Sequence, residues 1–294
     1  MTMKKAVITG AAGFAGFSTT KELLKQGYEV YALLRPGSEH NSRFSSCEEN
    51  LHLIELDCKD FDSIHNHIHV DCDVFYHLAW FGGRDDFEVQ KNNIDYCIKA
   101  LKSASKLGCK RFIGIGSQAE YGLCSELIDE NVLPNPINAY GASKLAALYL
   151  SKDLSVKLGI EWVWGRIFSL YGDNEPDGRL FPELIHNLRN DRPVNLSSCE
   201  QNWDYLHVRD GARAIVALGK SGHPGEIYNI ANGQYRSLKE YVEEAKSILN
   251  SNSVITYGEK ADPLVSLQPD ISKITDHTGW RPLISFEEGV TCFE

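Results

Sequence analysis

The sequence lacks any apolar run near the roughly 20 residues that a membrane-crossing helix needs, so no span is expected. It also lacks a basic excess. Thirty Lys and Arg against 40 Asp and Glu give a formal charge of −10, which argues against nucleic acid or an anionic membrane as the main partner. That balance leaves room for a small anionic ligand, because backbone amides bind phosphate whatever the net charge. No C-x-x-C occurs among the eight cysteines (47, 58, 72, 97, 109, 124, 199 and 292), and the ten histidines form no H-x-x-x-H. With no metal-ligand spacing, no metal site is expected. Reduced thiols buried as small hydrophobes in a cytoplasmic protein are the simplest account. The start, Lys4-Lys5 followed by Ala6-Val7-Ile8, reads as a strand without a long apolar leader. No internal repeat or low-complexity linker interrupts the chain.

What is present is the composition of an ordinary globular protein, 294 residues with 43% hydrophobic and 24% charged side chains. That length suits one large domain or two lobes. Short β-branched runs at Lys5–Gly10, Glu29–Leu34, Leu51–Leu56, Val74–Leu78, Arg111–Ser117 and Trp162–Phe168 alternate with helical patterns at 14–26, about 60–69, 87–107 and 139–158. Such alternation predicts βαβ units and a parallel sheet covered on both faces. Past about residue 170 the rhythm loosens. Helices are predicted at Leu180–Asn190, Val208–Lys220 and Leu238–Leu249, with short strands at Pro193–Leu196 and Ile227–Ile230 and a tail that is mostly loop. The fold class is therefore α/β: an N-terminal doubly wound parallel sheet over residues 1–170, then a smaller mixed α/β substrate lobe over 171–294 with room for the chain to return to the first domain.

Two short stretches carry chemistry. Gly10-Ala11-Ala12-Gly13-Phe14-Ala15-Gly16 falls between the first strand and first helix. Glycines there permit a tight turn and close backbone approach to a pyrophosphate, with the helix N-terminus supplying free N–H donors. Tyr140 and Lys144 are four residues apart on a predicted helix and so share a face. An ammonium beside a phenol favours the phenolate and is expected to pull the Tyr140 pKa down, which suits a carbonyl/alcohol couple. Taken alone, the pair reads more simply as a solvated Lys beside a half-buried Tyr.

In the order of its motifs the chain resembles the extended short-chain dehydrogenase/reductases, in particular nucleotide-sugar epimerases and reductases of the NAD-dependent epimerase/dehydratase kind. The resemblance rests on the G-x-x-G-F-x-G loop, Leu56-Asp57-Cys58, His77-Leu78-Ala79, Asn92, Ser117–Gly122, Tyr140–Lys144, Arg166–Gly172, Asp204–Asp210 and Gly279-Trp280-Arg281-Pro282. It implies a Rossmann fold for the first domain. It implies that Gly10, Gly13, Phe14, Gly16, Asp57, Cys58, Leu78 and Ala79 hold the cofactor, and that Asn92 bonds backbone near the site. It also implies a Ser117–Tyr140–Lys144 set in which Ser117 binds the substrate oxygen, Tyr140 is the acid/base and Lys144 holds the nicotinamide ribose. A homodimer through the helices at 87–107 and 139–158 is a further implication.

Departures from the family pattern narrow the reading. The second strand ends on Leu34-Arg35 instead of an acid. An Arg there suits a 2′-phosphate, so NADP(H) is favoured with NAD(H) possible; Ser38 and Arg43 are possible helpers. Sugar dehydratases carry an Asp-Glu pair after the Ser, whereas Gln118-Ala119 follows here, and Glu120 is expected to point elsewhere. Ser169 stands for the family's substrate-binding Asn and Trp203 for its Arg, leaving Arg179 as a substitute cation and Phe81, on Trp80–Arg84, as pocket lining. Ser117, Gln118, Tyr140, Ser169, Arg179 and Phe81 are thus the expected substrate contacts. The leading expectation is a reductase of a nucleotide-linked 4-keto sugar. A 4-epimerase is the alternative, and a non-catalytic NADP(H)-binding redox sensor a minor one.

Overall fold

Seven parallel strands form the central sheet. In chain order the elements are β1 (Lys5–Thr9), α1 (Phe14–Lys25), β2 (Glu29–Leu34), β3 (Leu51–Glu55), β4 (Val74–His77), α2 (Phe87–Lys106), β5 (Arg111–Ser117), α3 (Ala139–Leu158) and β6 (Glu161–Ile167). There follow β7 (Ser169–Tyr171), α4 (Leu180–Arg189), β8 (Val194–Asn195), β9 (Asn202–Trp203), β10 (Tyr205–His207), α5 (Val208–Ser221) and β11 (Ile227–Ile230). The chain ends with β12 (Arg236–Ser237), α6 (Leu238–Ile248), β13 (Ile255–Thr256), α7 (Ser272–Thr278) and α8 (Phe286–Thr291). The computed structural model describes residues 3–44, 48–262 and 264–293; Cys47, counted above among the reduced thiols, lies outside them. The other seven cysteines are unbridged.

Strand order in the main sheet is β11-β6-β5-β4-β1-β2-β3. The order reverses between β4 and β1, which opens a crevice at the carboxyl ends of those strands, the usual ligand position in such sheets. Both faces are covered. Ile8, Leu23, Ile113, Val163, Ile215 and Val216 belong to the core on the α1/α5 side, and Val7, Phe75, Leu101, Phe112, Leu148 and Trp162 to the core under α2 and α3. A separate aromatic core of Tyr171, Phe181, Tyr205, Tyr241 and their neighbours holds the second lobe together. No helix among the described residues is long and apolar enough to cross a membrane.

The expected return of the chain takes definite form. β11 pairs in parallel with β6, Ile227 opposite Trp164, and α5 supplies Ala214, Ile215, Val216 and Leu218 to the first core. Two elements differ from expectation. The helical pattern near 60–69 is a 3-10 segment, Cys58–Asn66, whose buried residues Cys58, Phe61 and Ile64 recur every third position, the period of that helix. The tail is less irregular than expected: α8 starts on a capping box between Ser285 and Glu288, and α7 stops at Gly279 in a left-handed conformation.

Candidate active site

β1 delivers the chain to Gly10, at φ +69°, where an added Cβ would lie 2.7 Å from the Ala79 backbone nitrogen. A Cβ on Gly16, in the first turn of α1, would lie 2.0 Å from the Gly10 carbonyl oxygen. The missing side chains let β1, α1 and the segment after β4 meet. Gly13 caps α1 without any side-chain hydrogen bond, so the first N–H groups of that helix stay open to an anion. A cavity of about 280 Å³ adjoins this loop and brings together Gly10, Gly13, Arg35, Cys58, Leu78, Ala79 and Phe81.

The residues around the cavity fit a dinucleotide. Asn41 lines it and has a buried Oδ1 with no partner, while its Nδ2 donates to the Arg35 carbonyl at 3.0 Å. Ser38 is also on the wall. Arg43 donates to the Ala12 carbonyl in the phosphate loop at 2.8 Å. Asn41 was not legible as a cavity residue because the β2–β3 connection has no periodicity to orient it. Asp57 caps the 3-10 segment that follows, accepting from the Lys59 N–H at 3.0 Å.

One expected residue changes place. Asn92 is exposed on α2, and its neighbour Asn93 makes the backbone bonds, donating to the Phe81 carbonyl at 2.9 Å and the Val89 carbonyl at 3.1 Å. The signal was available: Asn93 lies in phase with buried Cys97, Ala100, Leu101 and Ala104, whereas one residue turns a helix by about 100°.

Ser117 ends β5 at the crevice. Its hydroxyl accepts from the Ala119 N–H at 3.2 Å, and its own N–H donates to Glu120 Oε1 at 3.0 Å. Glu120, expected only to point away from the substrate, turns inward on a 3-10 turn that Ser117 caps. It is fully buried, accepts from Trp164 Nε1 at 3.1 Å and pairs with Arg166 Nε at 2.7 Å. Gln118, beside Ser117, is buried too. α3 begins at Asn138, whose side chain accepts from the Gly141 N–H, so Tyr140 falls in the first turn and Lys144 in the next. Lys144 is buried and donates to the Ile115 carbonyl at 2.6 Å, two residues short of Ser117 on the same strand.

Burial sets the electrostatics. It lowers the Lys144 pKa to about 7, against opposing charge from Glu120 and Cys97. The Tyr140 phenol is raised above its ordinary value, contrary to the expected downward pull. Desolvation leads, and the Ser117 hydroxyl, Arg84 and Arg179 only partly offset it. In the second lobe, Arg179 precedes α4 with its guanidinium 5.7 Å from the Phe14 ring centre, so it spans towards the phosphate loop. Ser169 opens β7, opposite Tyr205 of β10. Trp203 buries an unpartnered Nε1. Phe81 stacks on Tyr96 with ring centres 5.9 Å apart.

A switch-point cavity floored by a phosphate loop, with Trp80 on its wall packed against Tyr140 and a buried Lys144, defines an NAD(P)-dependent enzyme of the doubly wound α/β type. Residues 6–231 match the model of the NAD dependent epimerase/dehydratase family, and the chain belongs to that family. CDP-abequose synthase of Salmonella muenchen is 26% identical over 302 residues, spanning 98% of this chain and 96% of that one. The dTDP-6-deoxy-L-talose 4-dehydrogenase (NAD(+)) of Aggregatibacter actinomycetemcomitans is 28% identical over 250 residues, 81% of this chain and 88% of that one. Among solved structures, UDP-glucuronic acid 4-epimerase from Bacillus cereus in complex with NAD superposes with a TM-score of 0.86 at 26% identity, covering 98% of this chain and 95% of that chain.

Proposed function

We propose that this protein is an NADP(H)-dependent reductase acting on the 4-keto group of a nucleotide-linked deoxysugar. The observation that carries the reading is buried Lys144, bonded to the strand that ends on Ser117 and lying with Tyr140 against Trp80, which lines the cavity that also holds Arg35. Gly10, Gly13 and the open first turn of α1 would hold the cofactor's pyrophosphate, and Arg35 a 2′-phosphate. The bound nicotinamide supplies the hydride. Ser117 positions the carbonyl oxygen, and Tyr140 donates its phenolic proton to that oxygen, so that hydride and proton together make the alcohol. A phenol whose pKa is raised stays protonated at neutral pH and is ready to donate. Lys144, when charged, stabilises the phenolate left behind. Arg179 and Arg84 flank Tyr140 with positive charge and are suited to the substrate's diphosphate.

Relatives named for CDP-, dTDP- and UDP-linked sugars support the substrate class. Gln118-Ala119 after Ser117 leaves no acid/base pair for dehydration. The likeness to a UDP-glucuronic acid 4-epimerase over 98% of the chain favours one second reading, a 4-epimerase using the same residues. Nucleotide released on denaturing the purified protein separates the two: stoichiometric NAD marks an epimerase, and empty protein that then binds NADPH marks a reductase. Tyr140→Phe should lower turnover by at least about 100-fold, the low end of what a general acid contributes, with NADPH affinity nearly intact. Unchanged turnover would remove Tyr140 from the mechanism. We further propose a homodimer through the outward faces of α2 and α3, where Phe87, Tyr149, Leu150 and Val156 stand exposed.

A further inference from the structure

Trp80 stands on the segment after β4 with its indole face over the Lys144 ammonium, Nζ lying 3.8 Å from the ring centre. It meets the Tyr140 ring edge-on, ring centres 6.4 Å apart and planes at 88°. The indole is clamped. Its Nε1 donates to Gln90 Oε1 at 2.8 Å, and Gln90, wholly buried on α2, donates its Nε2 to the Gly83 carbonyl at 2.9 Å. Asn93, on the same helix, holds Phe81 by both its N–H and its carbonyl. Gly82, at φ +92°, would drive a Cβ to 2.4 Å from the Val89 side chain, so the loop is pressed on to α2. Two buried amides hold this one loop, and its placement follows.

We propose that Trp80 is a positioning residue: its indole face, locked by Gln90, keeps Lys144 charged and fixed in place beside Tyr140. An aromatic face attracts a cation through its quadrupole, most strongly where water is excluded, and Lys144 is buried. The other groups that bear on Lys144 are few. Glu120, from the turn after β5, and Cys97, from α2, favour its charge, but Glu120 is already paired with Arg166. His77, at the end of β4, is pushed down to about 3 by burial and by Lys144 itself, so it is neutral. Tyr140, on α3, is neutral as well. The Ile115 carbonyl accepts one of the three ammonium protons. Against the desolvation that pulls Lys144 towards its neutral form, the indole is the contact that a single substitution removes without leaving an unpaired charge.

The proposal rests on Tyr140 and Lys144 as the proton-transfer pair, yet its test reads Lys144 directly. The full-length protein is labelled with 13C- and 15N-lysine, the Lys144 signal is assigned by its loss in Lys144→Arg, and its Cε shift is followed with pH. In Trp80→Leu the Lys144 midpoint should fall by about one pH unit, the scale of a desolvated cation–π contact. In Trp80→Phe, which keeps a ring face, it should stay near the native value. Gln90→Leu, which frees the indole, should shift it in the same direction by less, and decides the matter if Trp80→Leu does not fold. A midpoint that is unmoved or raised in Trp80→Leu and Gln90→Leu overturns the proposal, as does an equal fall in Trp80→Phe and Trp80→Leu. In turnover, the alkaline limb of kcat should move with the midpoint. If no nucleotide sugar is turned over at all, the assigned activity fails while the lysine titration still gives its own answer.

Discussion

Lys144 is where this site sets stability against function. Its pKa in the folded protein is about 7 against an ordinary 10.5, so between those values the unfolded chain binds more protons than the folded one. Stability from this group therefore rises with pH across that window, and below pH 7 the full penalty of burying a charge applies. Lys144→Met should stabilise the protein by about 1–3 kcal/mol at pH 6, with a smaller gain at pH 9, in urea unfolding; a gain that grows with pH would reverse the assignment. Arg35 is the other residue with a sharp expectation. Removing charge-assisted bonds worth about 1.5–3 kcal/mol in Arg35→Ala should weaken NADPH binding roughly 10- to 100-fold and leave NADH nearly unchanged by calorimetry. Equal losses for both would show that Arg35 does not read the 2′-phosphate. At this scale Ser117, Tyr140 and Lys144 were legible because a strand end and an i, i+4 spacing fix where they point. The sign of the Tyr140 shift was not, because neighbouring charge can be read from sequence but depth of burial cannot. Trp80 was legible only as pocket lining, since its register on Lys144 is set by Gln90, whose side chain reaches back across an irregular loop.

At the scale of elements, the phosphate loop is as much a packing joint as a binding site. Gly16 sits where a methyl group would strike the Gly10 carbonyl at 2.0 Å, a backbone atom with no rotamer to yield. Gly16→Ala should thus shift α1 and cost about 1–3 kcal/mol, with a lower thermal midpoint and weaker stabilisation by NADPH. A variant as stable as the native protein would mean that α1 adjusts freely. Strands β2, β5 and β11 and helix α3 keep the bounds read from sequence, because apolar runs and caps mark both ends. Short elements escaped. The segment at Cys58–Asn66 was read with a 3.6-residue period, although Cys58, Phe61 and Ile64 recur every third position, the 3-10 period. α7 and α8, with seven and six residues, are too short for periodicity, although the Ser285–Glu288 box was there to be seen.

Across the whole molecule, the outward faces of α2 and α3 leave apolar side chains uncovered. Val156 is 79% exposed and Phe87 65%, while the inward residues of the same helices are buried. Light scattering should give twice the chain mass, and Tyr149→Glu with Val156→Glu should return it to one; a native monomer would end the dimer proposal. The parallel sheet was legible from alternation alone, and the second lobe was not, because its strands of two and three residues are held by an aromatic core and not by a repeating pattern.

The return of β11 and α5 to the first sheet bears on how the chain is made. Until residue 230 has been synthesised, β6 has an open edge, and the α1 face of the sheet lacks Ile215, Val216 and Leu218. The cofactor domain therefore cannot close while it is the only part of the chain outside the ribosome. Its sheet must wait, with hydrophobic surface uncovered, for about 60 more residues, which at 5–20 residues per second means several seconds. Residues 171–230 of the second lobe are made during that interval, while Leu238, Tyr241 and Val290 of its own core still lie ahead.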